Sequence, residues 1–266
     1  MPAVPVNKSN VMAKPTVILV GADKGGVGKT TVARTLLDYF GAHQTPTRAF
    51  DTESPRGTLK RFHPDATEVV DMTEVADQMK IFDTLGSADA RVTVIDVRAG
   101  LLSSTLQALS DIGFLESAKK GQITFAVFHI LGPSIASLNE IAETAKFVGD
   151  ANYFLVKNRI NDTTFFEWDP KTYNSYFKQI KGASEISIPK LNEMACEQVE
   201  VASQPFVSFI ANKTAKGETA NYSFVLRGYV RHWLGNVWSE YDRVKLIDLV
   251  APKVEKVENV RQQAAG

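Results

Sequence analysis

The sequence predicts an α/β protein: a mostly parallel, twisted sheet with helices on both faces. Three observations lead there. Short β-rich apolar runs alternate with amphipathic helical stretches along most of the chain, several of those runs are apolar on successive residues, and the first passes through a glycine-rich turn straight into a helix. Apolar runs of this kind suit strands buried on both faces, and strand–helix alternation suits crossover connections. The 266 residues are enough for one such domain with a sizeable core and short for two.

The elements follow in order. Residues 16–20 (T-V-I-L-V) read as a strand, and residues 30–40 as a helix with Val32, Ala33, Leu36, Leu37 and Phe40 at helical spacing. Gly41 is expected as that helix's C-cap. Residues 47–51 read as a strand, 69–85 as a helix, and 91–96 (R-V-T-V-I-D) as a buried strand ending in an acid. Residues 101–117 read as a helix, 122–130 as a strand, and Pro133 opens a helix reaching about Val148. Strand 152–157 follows. Residues 158–181 break the rhythm with Phe165, Phe166, Trp168, Tyr173, Tyr176 and Phe177, either core or a partner-docking surface. A strand at 185–188, Pro189, a helix, and a long amphipathic helix over 217–241 complete the order.

Composition narrows the class. Apolar residues make up 44% and charged residues 23%, ordinary for a soluble globular protein. The net charge of zero weakens a nucleic-acid reading while leaving room for a local basic patch. One cysteine, Cys196, is too few for an internal disulfide or a redox pair. It reads as a small buried residue and fits a cytoplasmic protein. No apolar run reaches the ~18–20 residues that span a bilayer, and residues 1–14 have no signal-peptide core.

The chemistry is concentrated at residues 24–31, K-G-G-V-G-K-T-T. Phosphate binding needs converging N–H groups with no side chain in the way, followed by a helix N-terminus. Gly25, Gly26 and Gly28 supply the close approach around Val27, Lys29 the charge on the phosphates, and Thr30 a hydroxyl for Mg²⁺, with Thr31 beside it. The ordinary G-x-x-x-x-G-K-[ST] pattern fails at its first glycine, which is Asp23. The deviant pattern with an extra lysine, Lys24, fits instead and resembles the ParA/MinD family of P-loop ATPases. The resemblance covers about residues 15–191. A loose leader (1–14) and a loose tail (252–266) are read from the residues themselves, and the resemblance makes the domain between them, 15–251, an ATPase. It also implies ATP and Mg²⁺ as ligands, and a homodimer with nucleotide between the chains, across which Lys24 reaches the partner's nucleotide like an arginine finger.

The same resemblance assigns further residues. Asp96 is the strand-end acid that meets magnesium through water, in a loop where Arg98 replaces the usual proline and so predicts a less rigid turn. In F-D-T-E-S-P, Asp51 matches the first family acid, and Glu53 stands where a second aspartate activates water. The extra methylene predicts slow or partner-stimulated hydrolysis, since a misplacement of ~1 Å can cost about 100-fold. Asn158 is placed to bond the adenine, with Pro189 lining the base's other side; an asparagine at a strand end is also a common turn former.

The single cysteine excludes the relatives that share an iron–sulfur cluster between subunits, which need two thiolates per chain. A CxxC pair or doubled domain (arsenical-pump type) and a terminal tyrosine cluster (bacterial tyrosine kinases) are not found. Placement of plasmid or chromosome DNA, or of a protein machine, is the expected output. A basic patch at Arg227, Arg231, Arg243 and Lys245 would serve non-specific DNA, though acids interleave with it. Arg56, Lys60 and Arg61, just past the switch acids, would let a partner sense the nucleotide. The apolar run 244–250 is a weak membrane candidate, and a membrane role is not expected. Two rival readings stand beside the switch: a metabolic phosphotransfer enzyme on the same fold, and a nucleotide-binding scaffold with little hydrolysis.

Overall fold

A computed structural model describes residues 14–250, apart from Ala88, Asp150 and Gln179. In chain order the elements are β1 (Thr16–Gly21), α1 (Lys29–Ala42), β2 (Thr47–Asp51), α2 (Thr58–Phe62), β3 (Thr67–Val69), α3 (Val75–Phe82), β4 (Val92–Asp96), α4 (Leu102–Asp111) and α5 (Phe114–Lys119). They continue with β5 (Thr124–Leu131), α6 (Ile135–Val148), β6 (Asn152–Asn158), α7 (Pro170–Phe177), β7 (Ser184–Ile188), α8 (Glu193–Ala202), α9 (Phe206–Ile210), α10 (Phe224–Arg243) and α11 (Leu246–Val250).

The seven strands form one sheet in the order β3-β2-β4-β1-β5-β6-β7, every pairing parallel. Alternate residues of each strand point to opposite faces. Ile18 and Val20 join one core with Phe40, Phe128, Val230 and Trp233, under α1 and α8–α11. Val17 and Leu19 join the other with Ile95, Leu106, Ile141 and Leu155, under α3–α6. The register sets Val20 beside Asp96, and Asp51 beside Asp96 on the other side. Three strand ends thus meet at one rim, where open α/β sheets bind ligands.

Several boundaries differ from the sequence expectation, each for a local reason. The helix expected over 69–85 is a short strand and a shorter helix, because Asp71 accepts hydrogen bonds from the N–H and hydroxyl of Thr73 and turns the chain. The helix expected over 101–117 divides at Gly113, which has φ 74°. Gly41 does not cap α1. The helix runs on to Ala42 with His43 as C-cap, and Gln44 takes the left-handed position at φ 53°. The long helix begins at Phe224, not 217, because Ser223 caps it by accepting the N–H of Leu226. The short helices α2, α7, α9 and α11 were not anticipated.

The apolar run 244–250 supplies Leu246 and Val250 to the core, and among the described residues no helix is long and apolar enough to cross a membrane. The aromatic segment divides: Phe165 and Phe177 are buried, whereas Trp168 is 75% exposed. Cys196 is exposed, not buried, because it lies on the outer side of α8 while Ala195 and Val199 face inward. The expected leader and tail, but for Lys14, lie outside the described residues.

Candidate functional site

β1 ends at Gly21, and residues 22–28 loop over the sheet rim into α1. Gly28 stands at the helix N-cap with φ 91°. A Cβ there would lie 2.2 Å from Asn158 Nδ2, so both the conformation and the space demand glycine. Gly26, at φ 73°, has open space around it, and at Gly25 the nearest neighbour of a Cβ would be Ala99 at 3.7 Å. Lys29 is 8% exposed and its ammonium reaches the Lys24 carbonyl at 3.4 Å. Burial pulls its pKa below the usual lysine value, and Asp96, Glu53, Asp23 and Glu140 oppose that.

Thr30 donates its hydroxyl to Asp96 Oδ2 at 2.7 Å. Burial pushes the Asp96 carboxyl up to about 7; the neighbouring Asp51 and Glu53 add to this, while Thr30 and Lys29 oppose it. Its Oδ1 is buried without a hydrogen-bond partner. Among the described residues no three acids, histidines or cysteines are grouped to hold a metal. The Thr30 hydroxyl and the unpartnered Asp96 Oδ1 are hard oxygen donors and fit Mg²⁺, which keeps few protein ligands and takes the rest from phosphate and water.

Asp51 and Glu53 share this rim in different circumstances. Asp51 is 1% exposed, and both its oxygens accept backbone N–H groups: Glu53 at 2.9 Å, Leu59 at 2.6 Å and Lys60 at 3.3 Å. It holds the loop and the start of α2. Glu53 is half-buried and accepts the Thr58 hydroxyl at 2.5 Å. A cavity of about 370 Å³ is lined by Gly26, Gly28, Lys29, Thr30, Thr31, Asp51, Glu53 and Asp96, and by Arg98 of the loop after β4.

A second cavity, about 430 Å³, opens beside it, lined by Thr31, Arg34, Asn158, Pro189, Leu191 and Trp233 among others. Asn158 donates from Nδ2 to the Val27 carbonyl at 2.9 Å, and its Oδ1 is without a partner. Trp233 Nε1 fixes the opposite wall by donating to the Pro189 carbonyl at 2.7 Å. Lys24 is exposed at the rim and donates to Ser134 Oγ at 3.1 Å.

Three residues outside the expected set hold these parts in place. Asp23 accepts from the backbone N–H and hydroxyl of Ser103 at the start of α4. Its odd position in the glycine pattern was the one signal available. Thr52 bridges the two acid loops: its N–H donates to the Asp96 carbonyl and its Oγ1 accepts the Arg98 N–H at 2.8 Å. Proline would have no N–H to give, so Arg98 ties down a turn that was expected to be loose. Thr58 is the third, through Glu53.

Two of the basic residues expected to serve DNA are engaged within the chain. Arg243 is paired with Glu240, and Arg227 donates to the Ile210 carbonyl. Arg56, Lys60 and Arg61 are all exposed, and Arg61 is paired with Glu200.

No protein-family model matches the sequence, and no curated protein matches it. Solved structures do. The septum site-determining protein MinD of Pyrococcus horikoshii OT3, complexed with Mg-ADP, is similar over 89% of this chain and 98% of its own, with 15% identity and a TM-score of 0.52. A ParA-family ATPase of Chlorobium tepidum TLS is similar over 84% of this chain and 98% of its own, with 13% identity and a TM-score of 0.51. The chain has the fold of the MinD and ParA ATPases, a P-loop α/β sheet.

Proposed function

We propose that the chain is an ATPase that binds Mg–ATP across the two cavities and acts as a nucleotide-switched dimer placing DNA or a protein partner. The observation that carries this reading is Thr31, which lines both cavities. The two adjoin at that residue, the second mostly apolar and the first carrying Lys29 and Arg98 among three acids, a pairing suited to a mononucleotide with its metal. The fold's similarity to a MinD bound to Mg-ADP supports it.

Each residue then has a definite task. Gly25, Gly26, Val27 and Gly28 offer backbone N–H groups, and Lys29 neutralises phosphate charge. Thr30 and Asp96 hold Mg²⁺, which when bound supplies charge stabilisation to the phosphates. Asn158 spends its donor on Val27 and keeps a free acceptor, which suits the amino group of adenine. Glu53 orients the attacking water, and Asp51 positions Glu53. Lys24 crosses to the second chain, where its charge stabilises the leaving phosphate. The Thr58 hydroxyl fixes one carboxylate oxygen of Glu53, and the glutamate's extra methylene makes basal hydrolysis slow and open to stimulation by a partner.

Molar mass in solution tests the switch. With Glu53→Ala to slow turnover, the chain is expected to be monomeric with ADP and dimeric with ATP and Mg²⁺. Adding Lys24→Ala should restore the monomer without loss of ATP binding. A mass indifferent to nucleotide, or a dimer that survives Lys24→Ala, overturns the proposal. Salt-sensitive retention of the ATP form on non-specific duplex would identify DNA as the cargo, and its absence would turn the search to a protein partner.

A further inference from the structure

Arg98 is an uncommitted cation facing the phosphate cavity. It stands two residues past Asp96 and lines the cavity with Lys29, Thr30 and Glu53. Its side chain is exposed, and among the described residues no carboxylate forms an ion pair with it. Asp71 senses its charge, but only as the last and smallest influence, after the hydrogen bonds from Thr73. The backbone beneath it is fixed, since its N–H donates to Thr52 Oγ1. The loop also lies against the glycine loop: a Cβ on Gly25 would meet Ala99 at 3.7 Å, and one on Gly100 would meet the Asp23 carbonyl at 3.9 Å. A long cationic side chain thus rises from a rigid base beside the glycine loop.

The two other cations of the loop are already placed. Lys29 is buried at the cavity floor, and Lys24 is directed to Ser134. A guanidinium presents paired N–H donors that match phosphate oxygens. Its charge is also worth most where the ligand adds charge.

We infer that Arg98 reads the terminal phosphate within its own chain, and so distinguishes a nucleoside triphosphate from a diphosphate. This rests on the nucleotide-binding reading above. The Asp96 loop then has two functions: its acid takes the metal and its arginine reports the third phosphate.

The test is a pair of affinities, for a non-hydrolysable ATP analogue and for ADP, each with Mg²⁺, at protein concentrations where the chain is monomeric. Arg98→Ala keeps the N–H to Thr52. It is expected to weaken the triphosphate by about 10- to 100-fold, the range for a hydrogen-bonded charge, and the diphosphate by no more than ~2-fold on the same basis. Arg98→Lys keeps the charge without the fork and should fall between wild type and Arg98→Ala for the triphosphate alone. Arg231→Ala, an exposed charge on α10, should change neither affinity. Equal losses for both nucleotides, no loss in either variant, or a loss that appears only when a second copy is present would overturn the inference. A wild-type chain that binds neither nucleotide would instead overturn the nucleotide-binding reading itself.

Discussion

Gly28 shows how narrowly one residue constrains the site. Its φ of 91° disfavours any side chain, and its missing Cβ leaves room for Asn158 Nδ2. Gly28→Ala should therefore reduce the affinity for a fluorescent ATP analogue by at least ~100-fold, combining backbone strain with a clash. Gly25→Ala meets its nearest protein neighbour only at 3.7 Å, so its loss should come from hindered phosphate approach alone and be smaller. Equal losses in the two variants would show that neither clash nor backbone strain explains the motif. The neighbouring Asn158 illustrates the same economy, since one amide both pins the loop through Val27 and faces the second cavity with an unpaired oxygen.

At the level of elements, acids from the sheet rim hold the ends of helices that carry no cap of their own. The N-cap positions of α2 and α4 are Gly57 and Leu101, and neither makes a side-chain cap bond. Asp51 serves α2 through Leu59 and Lys60, and Asp23 serves α4 through Ser103. A helix N-terminus has unpaired N–H groups and a partial positive charge, so a carboxylate there satisfies both. Asp23→Ala should cost about 1 kcal/mol of stability, the typical value of a lost cap, read as a lower midpoint in denaturant. Ser103→Ala removes only the hydroxyl contact and should cost less. In the double variant the losses should fall short of additivity, because the two residues share one contact. Simple addition would show that the side chains act independently.

Across the whole molecule, a buried polar cluster ties the switch-side helix α2 to the C-terminal helices. Arg34 of α1 lies between the rings of Phe62 (3.4 Å) and Phe206 (4.1 Å) and pairs with Glu200 of α8. Asp38 accepts the Val207 N–H and lies 3.9 Å from His63. Burial pushes Asp38 up to about 7 and His63 down to about 3, so around neutral pH the histidine is uncharged and the two form no ion pair despite their distance. The sign follows from Asp38. Below about pH 4 the carboxyl is protonated whether the chain is folded or not. Between about 4 and 7 the unfolded chain ionises while the fold keeps the proton, so the contribution of Asp38 to stability falls as pH rises, opposed by His63, which the unfolded chain protonates below about 6.5; above 7 the Asp38 deficit is constant. Asp38→Asn retains the oxygen that Val207 needs. It should be more stable than wild type at pH 8, by about 1–3 kcal/mol, with the gain vanishing near pH 4. A pH-independent difference would show that Asp38 ionises as readily in the fold as in the unfolded chain.

The sequence by itself determined the strand–helix alternation, the parallel sheet and the glycine-rich turn from the first strand into the first helix. Each rests on a local signal: apolar runs of strand length, helical spacing, and glycines set between a strand and a helix at residues 24–31. It also placed Asp96 at a strand end, since the apolar run V-T-V-I stops there. Only the tertiary structure decided what Asp23, Thr52 and Arg98 do, because their partners lie on other segments, 80 residues away for Asp23 and 46 for Arg98. The same limit explains Cys196, whose exposure depends on which face α8 turns to the core, and β3, which is a strand because β2 is there to pair with it. Periodicity and spacing express contacts within one element. Capping from a distant loop, a shared cavity wall and edge-strand pairing depend on surfaces that exist only once the sheet has brought the ends of β1, β2, β4 and β6 to one rim.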